Sequence, residues 1–161
     1  VAEARMIRIQ REDFEVGAEL SALSRGQHNI GGIAAFVGVV REIGSDGAPG
    51  AMTLEHYPGM TERKLTEIEA DALTRWPLDA VLIIHRYGRL EPGDQIVLVI
   101  TASAHRTAAL EACQFLIDWL KTKAPFWKFE ETAGGGKWVD ARSSDELATA
   151  RWLEMDGRGA D

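Results

Sequence analysis

The chain contains a continuous apolar run from residue 31 to residue 40, Gly-Gly-Ile-Ala-Ala-Phe-Val-Gly-Val-Val, which ends at Arg41. A helix that crosses a membrane needs about 20 apolar residues, so this run is too short to form one. A short apolar run instead predicts a strand that is buried on both faces. Residues 81–84 and 96–100 predict two more strands, joined through a turn at 91–94. The chain is therefore expected to build its core around a sheet.

The other periodic segments predict a mixture of helices and strands. Apolar residues at helical spacing predict helices, and strict alternation predicts strands. The predicted helices cover 15–23, 61–76 and 107–121, and the remaining predicted strands cover 7–10, 52–57, 126–131 and 137–141. Because helices and strands do not alternate strictly, the predicted fold class is α+β, with mixed or antiparallel sheets and flanking helices. We expect a single domain over residues 1–153 and a disordered tail over 154–161.

Composition excludes several classes of function. The 161 residues carry a formal net charge of −7 and a pI of about 5.1, which argues against duplex nucleic acid as a partner because such binding needs a concentrated basic face. A single cysteine, Cys113, rules out an internal disulfide and a cysteine-based zinc site, and its place on the apolar stripe of a predicted helix predicts an inert core thiol. No metal site is expected, because the histidines are scattered: His28, His56, His85 and His105. The N-terminus has no apolar signal region, so we expect a soluble, cytoplasmic protein.

Residues 121–128, Lys-Thr-Lys-Ala-Pro-Phe-Trp-Lys, place three cations among large rings in an acidic chain. Ammonium groups held near one another and near apolar rings lose hydration and repel, and both effects lower the pKa of a lysine toward the range of acid–base catalysis. The segment therefore has the composition of a catalytic site. A simpler interpretation stays open at this level: cations that favour a helix C-terminus, followed by a Phe-Trp pair that fills the core. The helix must end near Thr122, because Ala124 precedes Pro125.

Two further groups of cations indicate a seat for an anion. His105 and Arg106 follow a buried strand and begin a helix, where unpaired backbone N–H groups and the helix dipole favour a phosphate. Alternatively, these side chains satisfy local carbonyl groups. Arg41, just beyond the apolar run, is either a second anion contact or an ordinary cation at a strand end. Residues 134–137, Gly-Gly-Gly-Lys, lack the spacing of a phosphate-binding loop and predict a hairpin turn.

Residues 115–128, Phe-Leu-Ile-Asp-Trp-Leu-Lys-Thr-Lys-Ala-Pro-Phe-Trp-Lys, resemble the signature of the large, catalytic subunit of molybdopterin synthase. Three supporting blocks stand in the order of that family, at 53–60, 103–106 and 137–142. The Lys-Thr-x-Ala-Pro-x-Trp-Lys core of the signature is highly specific. Lys123 stands where an arginine is common, and a Gly-Gly-Gly turn replaces a more polar loop, but neither departure touches the two lysines of the core.

The resemblance implies a sulfurtransferase of molybdenum cofactor biosynthesis, with an α/β-hammerhead-like fold and no cofactor of its own. A small ubiquitin-like partner would deliver sulfur from a C-terminal Gly-Gly thiocarboxylate. Two such transfers would convert a cyclic pyranopterin monophosphate into the dithiolene of molybdopterin. The resemblance also implies a homodimer with one small subunit docked at each distal end, giving a heterotetramer.

The same resemblance implies roles for individual residues. Lys121 is the first candidate for proton transfer or a transient covalent link, and Lys128 for stabilising developing negative charge. In the family, an arginine that matches Arg142 reaches across the dimer interface into the neighbouring site. The substrate-binding residues expected on this basis are Val39, Val40, Arg41, His105, Arg106, Lys121, Lys128, Phe129, Glu130 and Arg142.

Two other classes of function are compatible with the residues alone. A Schiff-base lyase or aldolase acting on a phosphorylated substrate would use the same lysines and anion seat without a protein partner, and borohydride trapping would reveal it. A non-catalytic module that binds a peptide C-terminus would pair the lysines with a carboxylate, and would bind a thiocarboxylated partner without forming product. The lysine motif favours the sulfurtransferase.

Overall fold

The computed structural model describes residues 4–41, 50–132, 134–139 and 143–156. Within these residues, eight strands form two four-stranded sheets, and four helices pack around them. In chain order the elements are β1 (Ala4–Gln10), α1 (Val16–Ser24), β2 (Gly32–Val39), β3 (Met52–His56), α2 (Met60–Arg75), β4 (Ala80–Arg86), β5 (Gly88–Leu90), β6 (Gln95–Ser103), α3 (Arg106–Lys123), β7 (Phe126–Thr132), β8 (Gly135–Val139) and α4 (Ser143–Asp156). The predicted α+β fold class is confirmed, with one mixed and one antiparallel sheet. No helix in the described ranges is long and apolar enough to cross a membrane.

The first sheet has the strand order β1-β4-β6-β2, with β1 parallel to β4 and the other pairs antiparallel. Its central strands β4 and β6 are buried on both faces, as their apolar runs predict. Alternate residues of a strand point to opposite faces of a sheet. Val81 and Ile83 accordingly pack against α2 and α3, whereas Leu82 and Ile84 pack against α1. The sheet is therefore the middle layer between these helices.

The strand β2 departs from the prediction. Its apolar run predicts burial on both faces, yet β2 lies at the edge of the first sheet and pairs only with β6. Ile33 and Val39 are 40% and 46% exposed, and only Ala34 in this strand is buried. The prediction is wrong for a single chain because no strand lies beyond β2 among the described residues. A long apolar edge of this kind is a common site of association with another molecule.

The second sheet has the order β5-β3-β7-β8 and is antiparallel throughout. The three-residue strand β5 is too short for its alternation to predict it from the sequence. One face of the sheet joins a small buried apolar cluster: Val40, Met52, Leu54 and Leu90. The opposite face leaves Trp127 and Trp138 52% and 56% exposed. This sheet thus has one buried face and one exposed aromatic face.

The helix α3 spans 18 residues and ends at Lys123. Ala124 is extended, with φ −70° and ψ 126°, as the following Pro125 requires. Cys113 is buried on the inward side of α3, and burial raises the pKa of its thiol to about 11. The predicted core position of this thiol is confirmed, and a thiol with such a pKa is protonated at neutral pH.

No helix is predicted after residue 141, but α4 packs on α3 through a buried carboxylate. Asp118 Oδ2 accepts hydrogen bonds from Arg151 Nη2 (2.9 Å) and Trp152 Nε1 (2.7 Å). These contacts hold α4 against α3 at Asp118, about one helical turn before Lys121. The helix α4 continues to Asp156, so residues 154–156 are helical where a disordered tail was expected. Residues 157–161 lie outside the described ranges, and the single domain over residues 1–153 stays a prediction.

Candidate active site

The topology brings the ends of several elements to one end of the first sheet. The strand β6 begins at Gln95, and α3 follows β6 and returns alongside it, so that the last turn of α3, with Lys121, lies near the start of β6. The strand β2 ends there too, because Val39 is paired with Gln95. On the neighbouring strand β4, His85 is paired with Val97 at the same end. This end of the sheet therefore carries the lysine motif.

Lys128 and Glu130 lie on the buried face of the second sheet. Lys128 is paired with Leu54 across β3 and β7, which places its side chain next to the apolar cluster. Its Nζ lies 3.1 Å from the carboxylate of the buried Glu130, which holds the ammonium in place. Phe129 lies on the other face, with its ring 5.2 Å from that of Trp138. Of the two expected neighbours of Lys128, only Glu130 shares its face.

A row of rings stands beside the lysine motif. The rings of His85 and Phe126 are stacked, with centroids 3.7 Å apart and an interplanar angle of 15°. The Phe126 centroid lies 6.4 Å from that of His56, and the His56 ring lies 4.3 Å from the Tyr87 ring. The Arg11 guanidinium closes the row, 4.7 Å from the Tyr87 centroid. The row fixes the start of β7, directly after the end of α3.

The His85 imidazole is neutral. Its Nδ1 lies 2.8 Å from the carbonyl oxygen of Arg86, and because a carbonyl only accepts, Nδ1 carries the proton. Burial is the largest cause that lowers the pKa of His85, the hydrogen bond to Arg86 opposes it, and electrostatic interaction with Lys121 and His56 lowers the pKa as well; the result is a pKa of about 4. At neutral pH the ring therefore presents an unprotonated Nε2.

His105 and Arg106 lie at the opposite end of α3. Both side chains are exposed, and no side chain caps the start of the helix. Lys121 follows Arg106 by 15 positions, and at 1.5 Å per residue this separates them by about 22 Å along the helix axis. One chain therefore does not bring the expected anion seat to the lysine motif.

Two other expected contacts lie near the end of β2 and before α4. The backbone N–H of Val40 donates to the carbonyl of Asp94 (2.9 Å), which fixes where β2 ends and places the exposed Arg41 at the Lys121 end of the sheet. Arg142 lies outside the described residues, so its reach into a neighbouring site stays a prediction.

The groups assembled around the lysine motif are cations, rings and a buried carboxylate. Cations bind an anionic group and stabilise developing negative charge, and rings can flank a flat heterocycle. In the part of the chain that the structure describes, no group of three or more His, Cys, Asp or Glu side chains is placed to hold a metal ion.

The chain is similar to one class of protein, the catalytic subunits of molybdopterin synthase. The chain is 54% identical over 146 residues to that subunit of Ralstonia nicotianae, covering 91% of this chain and 83% of the relative. It is 53% identical over 148 residues to that of Pseudomonas aeruginosa, covering 92% and 99%. The solved structure of the molybdopterin biosynthesis MoaE protein from Burkholderia ambifaria superposes with a TM-score of 0.80 at 52% identity, covering 92% and 97%.

The family model described as MoaE protein matches residues 9–123. The chain belongs to the MoaE protein family, and the resemblance drawn from the lysine motif is confirmed.

From the sequence, His56 and His85 are scattered histidines with no role, yet the structure places both beside Phe126. The signal that could have found His56 is strand pairing, because His56 and Phe126 are directly opposed in β3 and β7. That pairing joins segments 70 positions apart and leaves no local pattern.

Proposed function

We propose that this chain is the catalytic subunit of a molybdopterin synthase and acts on a cyclic pyranopterin monophosphate, forming the dithiolene of molybdopterin. The observation that carries the proposal is the position of Lys121 and Lys128 at one end of the fold, beside a buried carboxylate and a neutral imidazole. Membership of the MoaE protein family supports it.

The two lysines differ in their surroundings, and we assign them different roles. Lys121 is exposed on the last turn of α3 and has no carboxylate partner among the described residues, so it is free to move a proton or to form a transient covalent link at the pterin side chain. Lys128 is held by Glu130 and stabilises negative charge that develops during sulfur transfer. Phe129 faces away from Lys128, so it contributes through its backbone rather than its ring.

The sulfur comes from a partner in this proposal. Cys113 is buried, and burial raises the pKa of its thiol, so it does not supply a thiolate. A small ubiquitin-like subunit delivers the sulfur on its C-terminal Gly-Gly thiocarboxylate, an anion that the cations of the lysine motif attract. We place both proteins in the cytoplasm, which fractionation of cells followed by immunodetection tests.

The separation of about 22 Å along α3 leads us to propose a site shared between two copies of the chain. His105 and Arg106 of one protomer would bind the substrate phosphate next to Lys121 of the other. The exposed apolar edge of β2 and the aromatic face of the second sheet are surfaces suited to self-association. One small subunit on each protomer then gives a heterotetramer.

Reconstitution tests the proposal. The chain is mixed with the thiocarboxylated small subunit and the cyclic substrate, and dithiolene formation is measured. Lys121→Ala should lower the rate by about 10²- to 10⁴-fold, the usual cost of losing a positioned acid or base. The matched control is Lys123→Ala, which removes the same charge from the same turn, where the ammonium lies 5.7 Å from the Trp119 ring. No product from the wild-type protein, or equal losses in both variants, would contradict the proposal.

A further inference from the structure

The site contains a buried histidine with one ring nitrogen free. His85 is 9% exposed, and its Nδ1–H donates to the carbonyl of Arg86. Its Nε2 has no hydrogen-bond partner among the described residues. This Nε2 is not among the described buried atoms that lack a hydrogen-bond partner, so it is reachable from solvent and can accept a hydrogen bond from a group at the candidate active site.

The position of this ring is fixed by packing against the lysine motif. His85 stacks on Phe126 at 3.7 Å, and Phe126 is the first residue of β7, five positions after Lys121 and two before Lys128. Phe126 and Lys128 share a face of β7, because side chains two positions apart in a strand point the same way. The stack therefore sets the course of the chain between the two lysines.

The groups that face His85 keep it uncharged. Lys121 on α3 and His56 on β3 both oppose its protonation, and burial opposes it most, giving a pKa of about 4. A neutral acceptor can orient a lysine amine by a hydrogen bond. It lacks the negative charge with which a carboxylate would hold that amine in its ammonium form. A neutral acceptor therefore suits a lysine whose amine must both gain and lose a proton.

We propose that His85 is a positioning residue for Lys121, its Nε2 accepting a hydrogen bond from the lysine side chain in the substrate complex while its stacking on Phe126 sets the path of the motif. The inference rests on the proposed function of Lys121. Catalytic hydrogen bonds commonly tighten only when substrate binds, which accounts for the exposed Lys121 in the free chain.

Two substitutions of His85 separate orientation from packing. His85→Phe keeps a flat ring for the stack but removes the acceptor, and we expect kcat to fall by about 10- to 100-fold with little change in KM. His85→Gln loses the stack but offers an amide oxygen, and should retain more of kcat than His85→Phe. His28→Phe, at an exposed histidine, should leave the rate unchanged. The reverse order, with His85→Phe active and His85→Gln impaired, would show a packing role alone and overturn the proposal.

A second measurement does not depend on activity. The imidazole resonances of His85 are titrated by NMR in the wild-type protein and in Lys121→Met. We expect a neutral ring protonated at Nδ1 at neutral pH, and a midpoint that rises when the Lys121 charge is removed. An unchanged midpoint, or a ring protonated at Nε2, would overturn the proposal. If the wild-type protein makes no product, the proposed function fails, and this titration still decides whether His85 and Lys121 are coupled.

Discussion

One buried side chain, His85, should make a separable contribution to the loss of stability when this protein is acidified. Its pKa in the folded chain is about 4, lowered by burial from an ordinary value of 6.5. The unfolded chain therefore takes up a proton at this position between about pH 6.5 and pH 4, while the folded chain does not. Proton uptake by the unfolded state alone favours unfolding, so the free energy of unfolding falls as the pH is lowered through this window.

The size of the effect follows from the two pKa values. At about pH 5 the unfolded histidine is almost fully charged and the folded one is almost neutral, which costs about 2 kcal/mol of stability relative to neutral pH. Below about pH 4 the folded ring also takes up a proton, and the loss levels off at about 3 kcal/mol. For a domain whose whole stability is typically about 5–15 kcal/mol, this is a large fraction.

Urea unfolding between about pH 7.5 and pH 4.5 tests this expectation, with His85→Phe as the reference. The variant lacks the titrating ring but keeps every carboxylate, so the carboxylate contributions cancel in the difference between the two curves. The wild-type protein should lose about 2 kcal/mol more than His85→Phe on going to about pH 5. Parallel curves for the two proteins would refute the assignment of His85 as a buried, neutral ring.

Two substitutions away from the lysines should change stability. Cys113→Ser should lower the free energy of unfolding by about 1–3 kcal/mol, because a buried hydroxyl needs a hydrogen bond. The variant should still transfer sulfur. A stable but inactive variant would show that sulfur passes through this thiol. Asp118→Ala should lower the free energy of unfolding by about 1–3 kcal/mol, because it leaves Trp152 Nε1 unpaired. It should raise the rate of hydrogen exchange in α4 more than in α1. An equal rise in both helices would contradict the role of this carboxylate in docking α4.

The central strands and the helix that carries Lys121 could be predicted from the sequence because their signals are local. Apolar runs define β4 and β6, helical spacing defines α3, and Pro125 limits the end of the helix. The edge position of β2 could not be predicted in the same way. A continuous apolar run looks the same whether a strand is covered by its own chain or left exposed for another molecule.

Only part of the candidate site could be predicted from the sequence. The lysine motif is contiguous, so it indicates Lys121 and Lys128 directly. The position of His85 beside the lysine motif could not be predicted from the sequence. Its partner, Phe126, is 41 positions away and comes close only through the packing of the two sheets. The distance between Arg106 and Lys121, by contrast, follows from the length of the predicted helix, which already places the two residues far apart in one chain.

The central claim is that two chains build each site, and mixed protomers test it most directly. Lys121→Ala and Arg106→Ala are each expected to be inactive as homodimers in the reconstituted reaction. In a heterodimer of the two, one shared site carries both defects and the other carries none. Dithiolene formation should therefore reappear on mixing, up to about half of the wild-type rate per heterodimer. No product after verified exchange of protomers would contradict the claim. It would show that Arg106 and Lys121 do not act together in one shared site.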